Sequence, residues 1–282
     1  MKKTLFSVFA IVCLIALSTL SCKKEKEEIL PFDVTGLPLF SSNSGLKYYI
    51  LKQGIGPIPQ RLNTVQIHFS IWSSENQLYY STKEANSPNF VLAGVGFLIK
   101  GMEEALQTMN VGTSARLIIP ASLAYDSVVY SKIPANSDII VDLEILSTEV
   151  DQNIMDEVQK LDLYVMMNYP NTIKYESGLY YWEVSKGTGD TIKSGQKVNM
   201  DYKLSRTDET VIESTYLADP LLLQYGIDNL IRGFEQGLKY VQKGTKAVMI
   251  MPSYLAYGSQ GNGNISGYTS LIFEIEVLNI TD

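Results

Sequence analysis

Two stretches of this chain are written in one grammar. Leu98 to Asp126 reads LIKGMEEALQTMNVGTSARLIIPASLAYD, and Leu230 to Gly258 reads LIRGFEQGLKYVQKGTKAVMIMPSYLAYG. The likeness starts earlier. SGLKYYILKQGIG at Ser44 is answered by SGLYYWEVSKGTG at Ser177, 133 positions on, and Pro120 by Pro252, 132 positions on. A unit of about 100 residues is far longer than a solenoid repeat, so it marks a duplicated domain. A chain of 282 residues has room for two such domains at about 130 residues each.

Each copy carries the same coarse pattern. TVQIHFSIW puts Val65, Ile67, Phe69 and Ile71 on one face, and KVNMDYKLS does so with Val198, Met200, Tyr202 and Leu204. Period-two alternation predicts a half-buried strand. Each copy closes on another: Val141, Leu143 and Ile145 alternate with Asp142 and Glu144, as Phe273, Ile275 and Val277 do with Glu274 and Glu276. Between them lies one short helix. Leu98, Met102 and Leu106 share its face in the first copy; Leu230, Phe234, Leu238 and Val241 do so in the second. Strands dominate and one helix serves them. Each module is therefore α+β, an antiparallel sheet wrapped around a short helix. Between the copies, Ile154, Val158, Leu161 and Val165 recur at helical spacing, Asp151 suits an N-cap and Pro170 follows, so a helix spans about 151–168. Its apolar face packs on a module, dimerises or captures clients.

The first residues belong to no fold. Lys2 and Lys3 precede an apolar run from Leu5 to Leu17, then small residues and Cys22. This reads as a signal peptide rather than a transmembrane helix. A Cys directly after Ser21 resembles the bacterial lipobox, which implies lipidation of Cys22 and a membrane anchor; the alternative is a secreted protein with an incidental Cys. Cys13 falls in the discarded run, so the mature chain keeps no thiol for a disulfide, metal or nucleophile. A net charge of −7 argues against nucleic acid, which wants a basic face. The organisation expected is a signal peptide at 1–22, a tether at 23–43, a module at 44–148, a helical linker at 149–176 and a module at 177–282.

The order of motifs resembles the FKBP-type peptidyl-prolyl cis–trans isomerases: an aromatic strand, I-[R/K]-G-[F/M]-E opening a helix, [K/S]-A-x-x-I-x-P, AY[G/D], a long loop and a closing I-[F/V]-[E/D]-[I/L]-E strand. The resemblance covers 177–280 and, more loosely, 44–148. It implies two tandem FKBP-like domains and a proline pocket in each. In the second copy the implied catalytic positions are Tyr202, Glu213, Leu230, Ile231, Phe234, Tyr257 and Phe273, with Ile212, Leu221 and Ile265 binding substrate. In the first, Phe69, Tyr79, Leu98, Ile99, Met102, Tyr125, Ile133 and Val141 fill the matching places, but Tyr80 stands at the acidic position and Asp126 replaces the glycine of AYG. The register around Phe90 is open. The first pocket has lost its carboxylate and two aromatics, so activity is expected mainly in the second.

The resemblance implies no cofactor and no metal. The partners implied are proline-containing unfolded or exported polypeptides. His68, the one histidine, alternates with Ile67 and Phe69 and is read as structural; one His does not make a metal site. The Gly-rich YGSQGNGNISGY lacks the Lys-Ser/Thr and helix of a phosphate loop and reads as a mobile flap. Three functions fit: an envelope isomerase, a non-catalytic client-binding chaperone, and a structural lipoprotein that keeps only the fold.

Overall fold

The computed structural model describes residues 29–85 and 87–282. The expected signal peptide, its lipidation site Cys22 and the first residues of the tether lie outside the described residues. Among the described residues no helix is long and apolar enough to cross a membrane.

Both copies build one topology. The first runs β1 (Phe40–Ser41), β2 (Lys47–Lys52), β3 (Asn63–Trp72), β4 (Leu78–Ser81), β5 (Asn89–Leu92), helix α1 (Lys100–Thr108), β6 (Ser114–Ile119) and β7 (Ile139–Val150). Helix α2 (Gln152–Asn168) leads to the second: β8 (Ile173–Lys174), β9 (Tyr180–Ser185), β10 (Lys197–Arg206), β11 (Val211–Ser214), β12 (Leu221–Gln224), α3 (Arg232–Leu238), β13 (Lys246–Met251) and β14 (Leu271–Thr281). The sheet orders are β1-β2-β6-β7-β3-β4 with β5 also on β3, and β8-β9-β13-β14-β10-β11 with β12 also on β10. Phe40 pairs with Tyr48 as Ile173 pairs with Tyr181. The copies thus begin slightly before the Ser-Gly-Leu signature, inside the stretches expected as tether and linker. Even the irregularity repeats: β7 bulges at Leu146, opposite Gln66 and Ile67, and β14 bulges at Leu278, opposite Asn199 and Met200. A bulge bends and twists its strand, which helps curl each sheet over its helix.

The alternating residues of β3 and β10 all face inward and are buried. They pack with Met102 and Leu106 in the first copy and with Phe234 and Leu238 in the second. The motif glycine makes this approach possible. A Cβ on Gly101 would lie 2.6 Å from Ile119 Cγ2, and one on Gly233 2.5 Å from Met251 Sδ. Helix α3 has only seven residues. Leu230 and Val241, expected on its face, lie just before and after it, because Gly237 weakens the helix near its end.

The outer faces differ, and the difference is written in the strands. In the second copy Val248, Ile250, Ile272 and Tyr180 form an apolar outer face, covered by Leu161 and Val165 of α2. Ile154 of α2 joins the main cluster of that copy, and Asp151 caps the helix through the N–H groups of Asn153 (3.0 Å) and Ile154 (3.4 Å). The apolar face expected on this helix therefore packs on the second module. The first copy has Arg116 at the position of Val248. Arg116 and Asp142 form a buried ion pair at 2.8 Å. The chain after Pro31 completes it: Phe32 N–H donates to Asp142 (2.9 Å) and the Phe32 carbonyl accepts from Arg116 (2.9 Å). This part of the expected tether is held on the module, since a buried pair needs its remaining hydrogen bonds met.

Residues 31–282 form one unit. Leu62, Leu92 and Val95 of the first copy pack into the second copy's cluster with Leu179 and Tyr254, and Arg61 donates to the Glu176 carbonyl (3.1 Å).

Many tyrosines stay neutral in this structure. Burial pushes Tyr125, Tyr164, Tyr175 and Tyr254 up to about 12; burial, then the hydrogen bond to Asp162, raises Tyr180 further. The unfolded chain releases these protons near the ordinary value of about 10. Stability is therefore full below that pH and is lost as pH rises through the folded values. We expect a urea midpoint that holds to about pH 9.5 and falls steeply above, in step with tyrosinate absorbance. A flat midpoint through pH 11 or so contradicts the burial argument.

Candidate functional site

In the second copy the expected residues come together. Phe234 from α3 and Phe273 from β14 lie 4.7 Å apart between ring centroids, at 42°. Tyr202 from β10 stands 6.1 Å from Phe273. These three and Ile265 are buried in one cluster. Ile212, Leu221, Leu230, Ile231 and Tyr257 pack half-buried against it. Glu213 is exposed at the end of β11, yet it reaches Tyr202. Burial, then the hydrogen bond to the Glu213 carboxylate, push the Tyr202 phenol well above its ordinary value. The hydroxyl thus stays a neutral donor. The arrangement brings three buried aromatic rings, five aliphatic side chains and the Tyr202 and Tyr257 hydroxyls together in one cluster.

The first copy holds a cavity of about 1140 Å³. Phe69, Tyr79, Leu98, Ile99, Met102, Tyr125 and Ile133 line it as expected, with Tyr80 at the acidic position. Val141 does not; it is buried in the core behind. Strand pairing closes the open register. Asn89 lies opposite Ile67 as Leu221 lies opposite Met200, so Asn89 faces the cavity while Phe90 points outward, 68% exposed. This space lies against the copy with the weaker motif, and its lining also takes in Glu176, Ser177 and Arg232. Met102 and Val141 occupy the places of Phe234 and Phe273 in the second copy. Tyr80 packs against Phe69 (5.4 Å).

Residues that sequence reasoning did not single out complete this cavity. Phe97, Tyr130 and Arg232 line it. Tyr130 stacks on Tyr125 at 4.4 Å and 8°. Glu103 is buried and accepts the N–H groups of Gly94 (2.8 Å) and Leu98 (3.2 Å), fixing the loop that shapes one wall. His68, half-buried, lies 2.9 Å from Thr82 Oγ1, which is a structural contact.

Beside each pocket the strand after the helix ends in a short 3₁₀ turn, Ala121–Leu123 and Ser253–Leu255. In both copies the leading N–H of the turn donates to a carboxylate. In the first copy Asp138 supplies it to Ala121 (2.9 Å). In the second copy that position is Ser270, and Glu157 from α2 takes over. Glu157 accepts Ser253 N–H (2.6 Å), Ser253 Oγ (2.5 Å) and Ser270 Oγ (2.6 Å). The linker helix is built into the second module. The signal was present in the sequence, because Glu157 falls on the apolar stripe of α2 beside Ile154 and Leu161.

The missing glycine of the first copy has a simple account. Gly258 and Asp126 both sit in the left-handed region, at φ +63 and 51, and both make the same bonds. Gly258 N–H reaches Ser253 O (2.8 Å) and Asp126 N–H reaches Ala121 O (2.9 Å). Asp tolerates this conformation better than most residues. Gly258→Asp is therefore expected to keep the fold at a cost of about 1 kcal/mol, read from the urea midpoint. A loss several times larger means the position needs more than a backbone angle.

A family model described as FKBP-type peptidyl-prolyl cis-trans isomerase matches residues 56–146 and 189–278. Human peptidyl-prolyl cis-trans isomerase FKBP9 is 24% identical over 255 residues, which is 89% of this chain and 41% of that protein. The FKBP-type isomerase FkpA of Buchnera aphidicola is 32% identical over 121 residues, 42% of this chain and 48% of that protein. The chain thus spans less than half the length of these relatives. The crystal structure of FkpA from Escherichia coli aligns with 46% of this chain and 60% of its own at 27% identity, with a TM-score of 0.42. The family model covers both copies and well over half of the sequence, and the chain belongs to the FKBP-type peptidyl-prolyl cis–trans isomerase family.

Proposed function

We propose that the chain catalyses cis–trans isomerisation of Xaa–Pro bonds in polypeptides, mainly in the second module. One observation carries this reading: Phe234, Phe273 and Tyr202 form a shared aromatic floor under the walls of Leu230, Ile231 and Ile265. Rotation about an Xaa–Pro bond takes roughly tens to hundreds of seconds unaided, because amide resonance must break. The twisted transition state has lost that resonance and is less charge-separated. A dry apolar pocket favours it over the planar form, which water solvates well. The floor clamps the proline ring and sets its orientation. Tyr257 can donate to a substrate carbonyl, and the Glu213 carboxylate holds the Tyr202 hydroxyl in place. No proton transfer to the protein is required. The test is exchange of a four-residue Xaa–Pro peptide, followed by NMR with the full chain. Acceleration is expected; a folded chain that gives none moves the reading to client binding. That second reading is favoured by one feature of the first module: Val128, Val129 and Tyr130, beside its cavity, are 61%, 67% and 55% exposed.

The same proposal places the protein in a bacterial cell envelope, assisting exported polypeptides from a lipid anchor. Lys2, Lys3, the apolar run from Leu5 to Leu17 and Cys22 support it. More than one acyl chain is needed for firm anchoring. Cys22→Ala is the check: the natural chain should take up labelled fatty acid and sediment with membranes, and the variant should do neither. Equal labelling of both excludes Cys22 as the anchor.

A further inference from the structure

We infer that the first module is an anchoring site for the same polypeptide that the second module isomerises, so one extended apolar chain occupies both. The inference rests on the isomerase reading and names the substrate class it selects: long, apolar, unfolded segments rather than short peptides. Three observations carry it. First, the cavity of the first module does not end within that module. Its lining includes Glu176, Ser177 and Arg232, and Arg232 directly follows Ile231 of the second pocket. The Arg232 guanidinium lies 4.1 Å over the Phe97 ring, and Phe97 in turn meets Tyr254 edge-on at 6.3 Å. The first module's cavity thus reaches into the second module, as far as the residue next to Ile231.

Second, the modules are fixed against each other. Leu62, Leu92 and Val95 pack into the second copy's cluster. A chain gripped by the first module is then presented to the second at a high effective concentration, without new contacts in the second pocket. Third, the two copies of the loop differ in polarity. The second copy reads Gln260, Gly261, Asn262 beside its pocket; the first reads Val128, Val129, Tyr130, all exposed. Exposed apolar residues next to an open aromatic cavity match an apolar chain. Met102 stands in the lining where the second copy has Phe234, and a flexible thioether adapts to varied side chains better than a rigid ring does.

The test uses the full chain and two probes with the same Xaa–Pro bond. One is four residues long. The other has about 25 residues, a reach of up to roughly 80 Å, with Phe and Tyr on one side of the proline. The variant Val128→Gln/Val129→Gly/Tyr130→Asn carries the second copy's own loop residues, so the loop stays foldable. The natural chain should show a KM for the long peptide about tenfold or more below that for the short one. The variant should lose this gap while turning over the short peptide unchanged. Loss on both peptides, or on neither, overturns the proposal. If the natural chain turns over neither peptide, the isomerase reading fails. Anisotropy of the labelled long peptide then still decides the anchoring site: about tenfold weaker binding by the variant supports it, and equal binding overturns it.

Discussion

Glu157→Ala is expected to destabilise the second module by about 3 kcal/mol, because it strands three donors in a buried site. Its carboxylate serves Ser253 N–H, Ser253 Oγ and Ser270 Oγ at once, and Glu157 is only 8% exposed. The corresponding change in the first copy, Asp138→Ala, removes one hydrogen bond at an exposed site and should cost about 1 kcal/mol. The duplication also supplies its own control. Ser270→Asp transplants the first copy's solution. Alone, it sets a second carboxylate against Glu157 and should destabilise. Combined with Glu157→Ala it should recover at least about 1 kcal/mol. Urea unfolding of the four variants reads the sign reversal. Additive losses would mean that the two carboxylates do not do the same job.

Phe273→Leu is expected to lower kcat/KM for a short Xaa–Pro peptide by about tenfold or more, because the floor loses the ring that meets both Phe234 and Tyr202. The change nearly conserves volume, so stability should fall by only about 1 kcal/mol. That separates a catalytic loss from unfolding. Val141→Ala, its counterpart in the first copy, removes a fully buried side chain and should show the reverse pattern: a stability loss of about 2 kcal/mol with short-peptide turnover retained. Equal kinetic loss in the two variants would deny the division of labour between the modules.

The strands were legible because a buried face and a polar face alternate along them. Val65 to Ile71 and Val198 to Leu204 declare their orientation residue by residue. Helix α2 was legible because Asp151 caps it and its apolar stripe has helical spacing. The clustering of Phe234, Phe273 and Tyr202 in the second copy was legible only through the ordered motifs, since Phe234 and Phe273 taken alone are ordinary core residues. What stayed hidden depends on contacts between distant segments. Phe90 looks like a pocket aromatic until the pairing of β5 with β3 turns Asn89 inward. Arg116 and Asp142 look like solvated charges until Phe32 closes over them. Leu62, Leu92 and Val95 carry no sign that their partners lie in the other copy. Glu157 reads as a surface charge, although its place on the apolar stripe was a usable clue.

The most direct measurement is NMR exchange of a four-residue Xaa–Pro peptide by the full chain, set beside Phe273→Leu and Tyr125→Ala. The account predicts acceleration by the natural protein, loss in the second-module variant and retention in the first-module variant. Loss in Tyr125→Ala with retention in Phe273→Leu would place catalysis in the first module and contradict the account.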